Sequence, residues 1–344
     1  MRLFHNGLVR RACAVVFAVV VGCLLLAPQP ANADTVSCRD MYFPVTVFGT
    51  SQTMYGRLCA PAAARTIVVL IPGGSYNTSY WDIGYQPAVH SFRLAMNNAG
   101  YATLAVDRLG AGRSSTPLSA LVTATVQAIA VHQVIQAVRA GKLGQSFGKV
   151  VVGAHSIGSA MAMIEAGTYH DVNGVLVTGM THQMKWTTVG PVLARMIPAP
   201  LDPRLYVRGL DMGYLTTDPG ARYGAFHSPG PYDAGAITYD ESTKDVFAVT
   251  EAVDTTLLTT VVDPISDQIT VPVMIAMGDD PNFCGAPLGS DCTSADTLRQ
   301  SESPFYLAAP SLTTYVLHGY GHSINYAPNA PNYFQATEVW LAGL

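Results

Sequence analysis

The segment Lys149-Val150-Val151-Val152-Gly153-Ala154-His155-Ser156-Ile157-Gly158 constrains this chain more than any other. An apolar, β-branched run of strand length passes into a serine without a spacer, and a helical pattern begins at the next residue. So sharp a turn holds the serine in a strained backbone conformation and excludes bulky side chains two positions to either side. Ala154 and Gly158 occupy those positions. A serine that merely caps an ordinary helix would also explain the pentapeptide, so the rest of the chain must decide.

Around this segment, short apolar runs alternate with longer helical patterns, the signature of strand–helix–strand units and a mostly parallel central sheet flanked by helices. Strands are expected at Thr66–Ile71, 101–106, 149–153, 172–178, 271–277 and 313–317, with an antiparallel edge near 43–48 and 53–59. Helices are expected at 86–98, 119–140, 157–166 and 332–341. In the second of these, Val122, Val126, Ile129, Val134, Ile135 and Val138 recur at helical spacing. The stretch 182–269, rich in Pro, Gly and Tyr, breaks the alternation and reads as a lid inserted between core segments 34–181 and 270–344.

Three further segments carry groups that a reactive serine needs. Ile67-Val68-Val69-Leu70-Ile71-Pro72-Gly73-Gly74 is a buried strand ending in a glycine pair. Acyl transfer requires two backbone N–H groups aimed at the developing oxyanion. Ile157, directly after the serine, and Gly74 are the expected donors. The second segment, His318-Gly319-Tyr320-Gly321-His322, follows a strand. A serine hydroxyl is a poor nucleophile until an imidazole takes its proton. His322, in a Gly-His loop, is preferred over His318 at the strand end. In the third, Val271 to Gly278 delivers Asp279 and Asp280 into a loop. A carboxylate there would orient the histidine and stabilise the imidazolium. Asp280, just before Pro281, is preferred, with Asp279 the alternative.

The chain order Ser156, Asp280, His322 resembles that of the α/β-hydrolase superfamily, and the resemblance extends from about Thr66 to the C-terminus. Asp107-Arg108-Leu109-Gly110-Ala111-Gly112-Arg113-Ser114 is similar to a loop of that superfamily whose role is structural. Two departures stand out. Pro72-Gly73 replaces the His-Gly of many relatives, and Ser156 replaces the aspartate of relatives that open epoxides or remove halogen. The resemblance implies an α/β-hydrolase fold and acyl chemistry: cleavage of a carboxylic ester or lactone through an acyl-enzyme, with no cofactor and no metal. A thioesterase or cyclase shares the same intermediate, and a non-catalytic binding protein could share the scaffold.

Composition narrows the partners. With 49% hydrophobic and 12% charged residues the chain is no disordered polymer. From Asp34 onward it carries 16 basic and 23 acidic residues and no long basic run, which argues against a nucleic-acid partner. The 182–269 stretch holds 6 basic and 11 acidic residues, which disfavours a polyanionic substrate. Trp186, Tyr206, Tyr214, Tyr223, Phe226, Tyr232 and Tyr239 suit an apolar or aromatic small-molecule ester, although most such rings serve packing first.

The N-terminus reads as an export signal over residues 1–33. Arg10 and Arg11 precede an apolar stretch from Ala12 to Ala27, then Ala31-Asn32-Ala33. The apolar stretch is shorter than the ~20 residues that span a bilayer. No stable membrane insertion is therefore expected after cleavage, and the mature protein should be secreted. A membrane anchor through this segment, or a lipid on Cys23, is the alternative. Cleavage leaves Cys38, Cys59, Cys284 and Cys292, and proximity favours the pairs Cys38–Cys59 and Cys284–Cys292. No metal-ligand spacing accompanies them.

Overall fold

The computed structural model describes residues 36–257 and 264–344. The expected export segment and Cys23 lie outside them. The described residues open with a long hairpin of β1 (Val36–Val47) and β2 (Thr50–Pro61). Phe48 and Gly49 close it at φ 49° and 72°, the left-handed conformation that a two-residue hairpin turn demands. Both strands extend beyond the expected edge, and Cys38 sits directly opposite Cys59, to which it is disulfide-bonded. Closing that 21-residue separation contributes about 3 kcal/mol in the chain-entropy account.

The alternating units follow: β3 (Thr66–Ile71), α1 (Pro87–His90), α2 (Phe92–Asn98), β4 (Ala102–Val106), α3 (Ala124–Arg139), β5 (Lys149–His155), α4 (Ile157–Tyr169) and β6 (Gly174–Thr178). The chain then leaves the sheet for α5 (Trp186–Leu193), β7 (Met196–Pro198), β8 (Tyr214–Thr217), α6 (Ala234–Thr243), β9 (Phe247–Ala248) and α7 (Val249–Thr256). It returns with β10 (Val273–Gly278), α8 (Ala295–Glu302), β11 (Leu312–Leu317) and α9 (Ala330–Ala342).

The main sheet has eight strands in the order β1-β2-β4-β3-β5-β6-β10-β11. From β4 to β11 all neighbours are parallel, and the β1–β2 hairpin adds an antiparallel edge. Successive strand residues point to opposite faces. Accordingly Val150, Val152, Val175, Val177, Ile275 and Met277 join one core, shared with α3 and α4. Val151, Leu176, Met274 and Ala276 join the other, shared with α2 and α9. Burial on both faces explains why these strands read as continuous apolar runs.

Two expected helices differ. Residues 86–98 form α1 and α2, split at Ser91, whose backbone is extended (φ −85°, ψ 102°) and whose side chain accepts the Leu94 N–H to cap α2. The helix expected from 119 starts at Ala124, capped by Thr123, after a single turn at Ser119–Leu121. In both cases a side-chain oxygen competes for the backbone and starts the helix where it captures an N–H.

Candidate active site

Strand C-termini of a parallel sheet gather the loops that follow them, and ligands bind there in open α/β folds. Gly73–Gly74 follows β3, Ser156 follows β5, Asp280 follows β10 and His322 follows β11. All four therefore meet at one edge.

Ser156 adopts φ 54°, ψ −129°, a conformation that side chains other than glycine rarely take, and its N–H donates to the Thr178 carbonyl at 2.8 Å. The need for a small neighbour is concrete at Gly158, where a Cβ would lie 2.6 Å from the Pro72 carbonyl oxygen. The glycine pair after β3 packs against the same turn. An added Cβ would stand 2.9 Å from Ser156 Cβ at Gly73, and 3.1 Å from Ile157 Cδ1 at Gly74. Ile157 opens α4, so its N–H has no acceptor within the helix. Residues 74 and 157, the expected oxyanion donors, thus pack against each other.

His322 and Asp280 are both buried, with His322 Nδ1 2.8 Å from Asp280 Oδ2. A carboxylate only accepts, so a neutral ring donates from Nδ1 and leaves Nε2 as the acceptor. That Nε2 is buried and has no hydrogen-bond partner. The other carboxylate oxygen, Asp280 Oδ1, accepts the N–H groups of Asn282 (3.1 Å) and Phe283 (3.2 Å). Asp279 points elsewhere and meets exposed His318 at 2.8 Å. The second disulfide, Cys284–Cys292, staples the loop just beyond Asp280.

The His322 ring lies against Phe283 (centroids 4.1 Å), Phe226 (5.6 Å) and His155 (4.7 Å). Burial, with His322 beside it, pushes His155 well below the usual imidazole range. His155 therefore stays neutral and presents no like charge to an imidazolium at His322. Ser156 and Phe283 line one cleft together with Ile157, Met180, Met184, Trp186, Val189 and Leu193, a cavity of about 80 Å³. None of its lining residues is charged.

A family model described as the alpha/beta hydrolase family matches residues 68–331. The chain belongs to the alpha/beta hydrolase family. A thermophilic esterase from Thermogutta terrifontis superposes with TM-score 0.58 at 12% identity, covering 89% of this chain and 98% of that one. Carboxylesterase CesB from Bacillus subtilis gives 0.58 at 15%, covering 91% and 94%. The enol-lactonase from Burkholderia xenovorans LB400 gives 0.56 at 14%, covering 88% and 100%. At such identities the likeness is one of fold. No curated protein matches by sequence.

Several supports of this alpha/beta hydrolase site escape sequence reading. Fully buried Arg108, in the loop after β4, donates to the Gly73 and Val246 carbonyls (3.1 and 2.8 Å) and pairs with Glu251 of α7. It ties the glycine loop to the inserted segment. Arg222, also fully buried, donates to Ser75 Oγ at 3.0 Å and to Asp240 Oδ1 at 2.8 Å. It thereby holds Ser75, itself at φ 59°, one residue past Gly74. Asp240 further receives His227 Nε2 at 2.7 Å. A charge reads in sequence as a surface residue, and only the long-range partners reveal otherwise.

The aromatic expectation needs correction. Of the seven rings, only Trp186 lines the cleft, and Phe226 packs on His322. Tyr214 is buried and donates to the Pro117 carbonyl, Tyr223 donates to the Gly230 carbonyl, Tyr239 packs over Gly84, and Tyr206 and Tyr232 are exposed. Six of the thirteen lining residues are aliphatic or methionine, and Thr181, Thr255 and Thr256 line it too. Among the described residues, no helix is long and apolar enough to cross a membrane.

Proposed function

We propose that this alpha/beta hydrolase is an exported serine hydrolase that cleaves carboxylic esters or lactones of an uncharged, apolar small molecule. One observation carries the reading: the buried Asp280–His322 pair, with an unpartnered Nε2 and its ring stacked on Phe283 of the cleft that Ser156, held at positive φ, also lines. His322 Nε2 takes the Ser156 proton as Oγ attacks the acyl carbonyl, while Asp280 stabilises the imidazolium. The N–H groups of Gly74 and Ile157 receive the oxyanion, and the positive end of the α4 dipole adds to their field. Collapse expels the alcohol, which takes its proton from His322. Water then repeats the sequence on the acyl-enzyme and releases the acid.

The uncharged apolar lining supports an apolar acyl group. A cavity of about 80 Å³ is smaller than the ~150 Å³ that accommodates benzene, which favours a short chain. Segment 182–269 contributes Met184, Trp186, Val189, Leu193 and Ala252 to this lining, and we read it as the lid. Residues 1–33, with their export pattern, and two disulfides support secretion. The test is turnover of aryl esters and lactones of graded acyl length. Short acyl chains should react fastest, and Ser156→Ala should abolish turnover. Retention of more than about a tenth of the rate would reject the assignment of the nucleophile.

A further inference from the structure

Away from the serine, three chemistry-bearing side chains converge at the opposite end of α4. His132 comes from α3, Glu165 from α4, and Asp171 from the loop after it. Glu165 lies nine positions along α4 from Ser156, roughly 13 Å along the axis. His170, at φ 52°, turns the chain just past α4, immediately before Asp171. Stacking on Tyr169, with ring centroids 3.6 Å apart, fixes the plane of His132.

His132 Nδ1 lies 3.3 Å from Glu165 Oε1 and 3.1 Å from Asp171 Oδ2, and one ligand atom from each residue falls within 4.8 Å of the others. Those separations exceed the ~2.8 Å of a charge-assisted hydrogen bond. They fall near the edge of a tetrahedron around zinc, about 3.4 Å for metal–ligand bonds near 2.1 Å. A second observation is independent of the clustering. The Glu165 side chain is fully buried, yet its Oε2 has no hydrogen-bond partner, and Asp171 Oδ1 is likewise buried and unpartnered. Carboxylate oxygens cannot donate to one another, so such a pair calls for a cation or a proton. His132 and Asp171 keep 22% and 15% side-chain exposure, which leaves a path for an ion and its remaining water ligand. Arg139, the nearby cation, directs its guanidinium to the Asp171 carbonyl and to Asn173.

We propose that His132, Glu165 and Asp171 form a structural binding site for one divalent transition cation of the zinc class, bracing α3 against α4. One imidazole with two carboxylates suits zinc, whereas calcium and magnesium favour all-oxygen sets. Spacing could not reveal the site, because three separate elements supply the ligands. It stands independently of the serine chemistry.

The test is calorimetric titration of the purified, chelator-treated protein with zinc chloride, run in two buffers of different ionisation enthalpy. The expected result is one zinc per chain with proton release, and no stoichiometric binding of magnesium or calcium at the same concentrations. Glu165→Gln, which mimics the protonated acid and should fold, and Asp171→Asn, at a part-exposed position, should each weaken zinc at least tenfold. Ester turnover should be unchanged in both variants. Absence of stoichiometric zinc binding by the parent protein would overturn the proposal in favour of a shared proton. Parental affinity in both variants, or a preference for calcium, would overturn it equally.

Discussion

Replacing Asp280 by Asn tests how the proposed base, His322, is prepared for its work. The structure dictates which way the new amide points. Asp280 Oδ1 accepts two backbone N–H groups, from Asn282 and Phe283, so the amide oxygen must take that place. The amide nitrogen then faces His322 Nδ1 and donates to it. The ring proton moves to Nε2, which becomes a donor and can no longer accept from Ser156. A wrong tautomer in an otherwise intact triad lowers turnover by about 10⁴-fold, or about 5 kcal/mol of transition-state stabilisation. The cleft lining is untouched, so KM should hold while kcat falls. Asp279→Asn is the matched control. Its partner His318 is 64% exposed, and an exposed pair contributes at most about 1 kcal/mol. Steady-state kinetics on a short aryl ester would distinguish the two. More than a tenth of parental kcat in Asp280→Asn, or equal losses in both variants, would refute the tautomer argument.

Three other substitutions probe the scaffold. Gly158→Ala would press a methyl against the Pro72 and Ile71 carbonyls at 2.6 and 2.9 Å, so urea unfolding should show a loss of ~1–3 kcal/mol, with slower hydrolysis. Arg222→Met leaves Asp240 buried with only His227 as its ionic partner and should cost ~3–5 kcal/mol in the same assay. Burial raises Asp240, but Arg222 and His227 more than offset it and hold the carboxyl at about 2. The resulting stability is therefore present above pH 4 and lost as pH falls from about 4 through 2, by ~2 kcal/mol. Arg222→Met should flatten that acid limb. Finally, Cys38→Ser with Cys59→Ser should lower stability by about 3 kcal/mol by denaturant midpoint while leaving kcat unchanged, because the hairpin lies at the sheet edge far from β5.

Local rules made much of the candidate site's geometry legible. A strand that runs into a serine and then a helix needs a strained turn, and Ser156 has one. Gly73–Gly74 and the two aspartates sit at strand ends because parallel sheets gather their chemistry there. The choice between Asp279 and Asp280 was a different matter. The pleat sends successive side chains in opposite directions, and which one faces His322 depends on how β10 registers against β11. The splitting of α1 from α2 was equally hidden, since Ser91 reads as a tolerable helix residue until its hydroxyl captures the Leu94 N–H. Buried Arg108 and Arg222 escaped notice because their partners Glu251 and Asp240 lie 143 and 18 residues away. The insertion carried the weakest signal. Its short strands and single turns depend on packing against the sheet domain more than on any period of their own.

The most direct test of the central claim is covalent. A fluorophosphonate reacts with a serine only when a base has taken its proton and an oxyanion hole receives the phosphonyl oxygen. Labelling the purified protein, followed by intact-mass measurement and peptide mapping, should reveal a single adduct on Ser156. The adduct should be absent from Ser156→Ala and strongly slowed in His322→Ala. An unlabelled protein that still hydrolyses esters, or an adduct on another residue that survives in Ser156→Ala, would contradict the account.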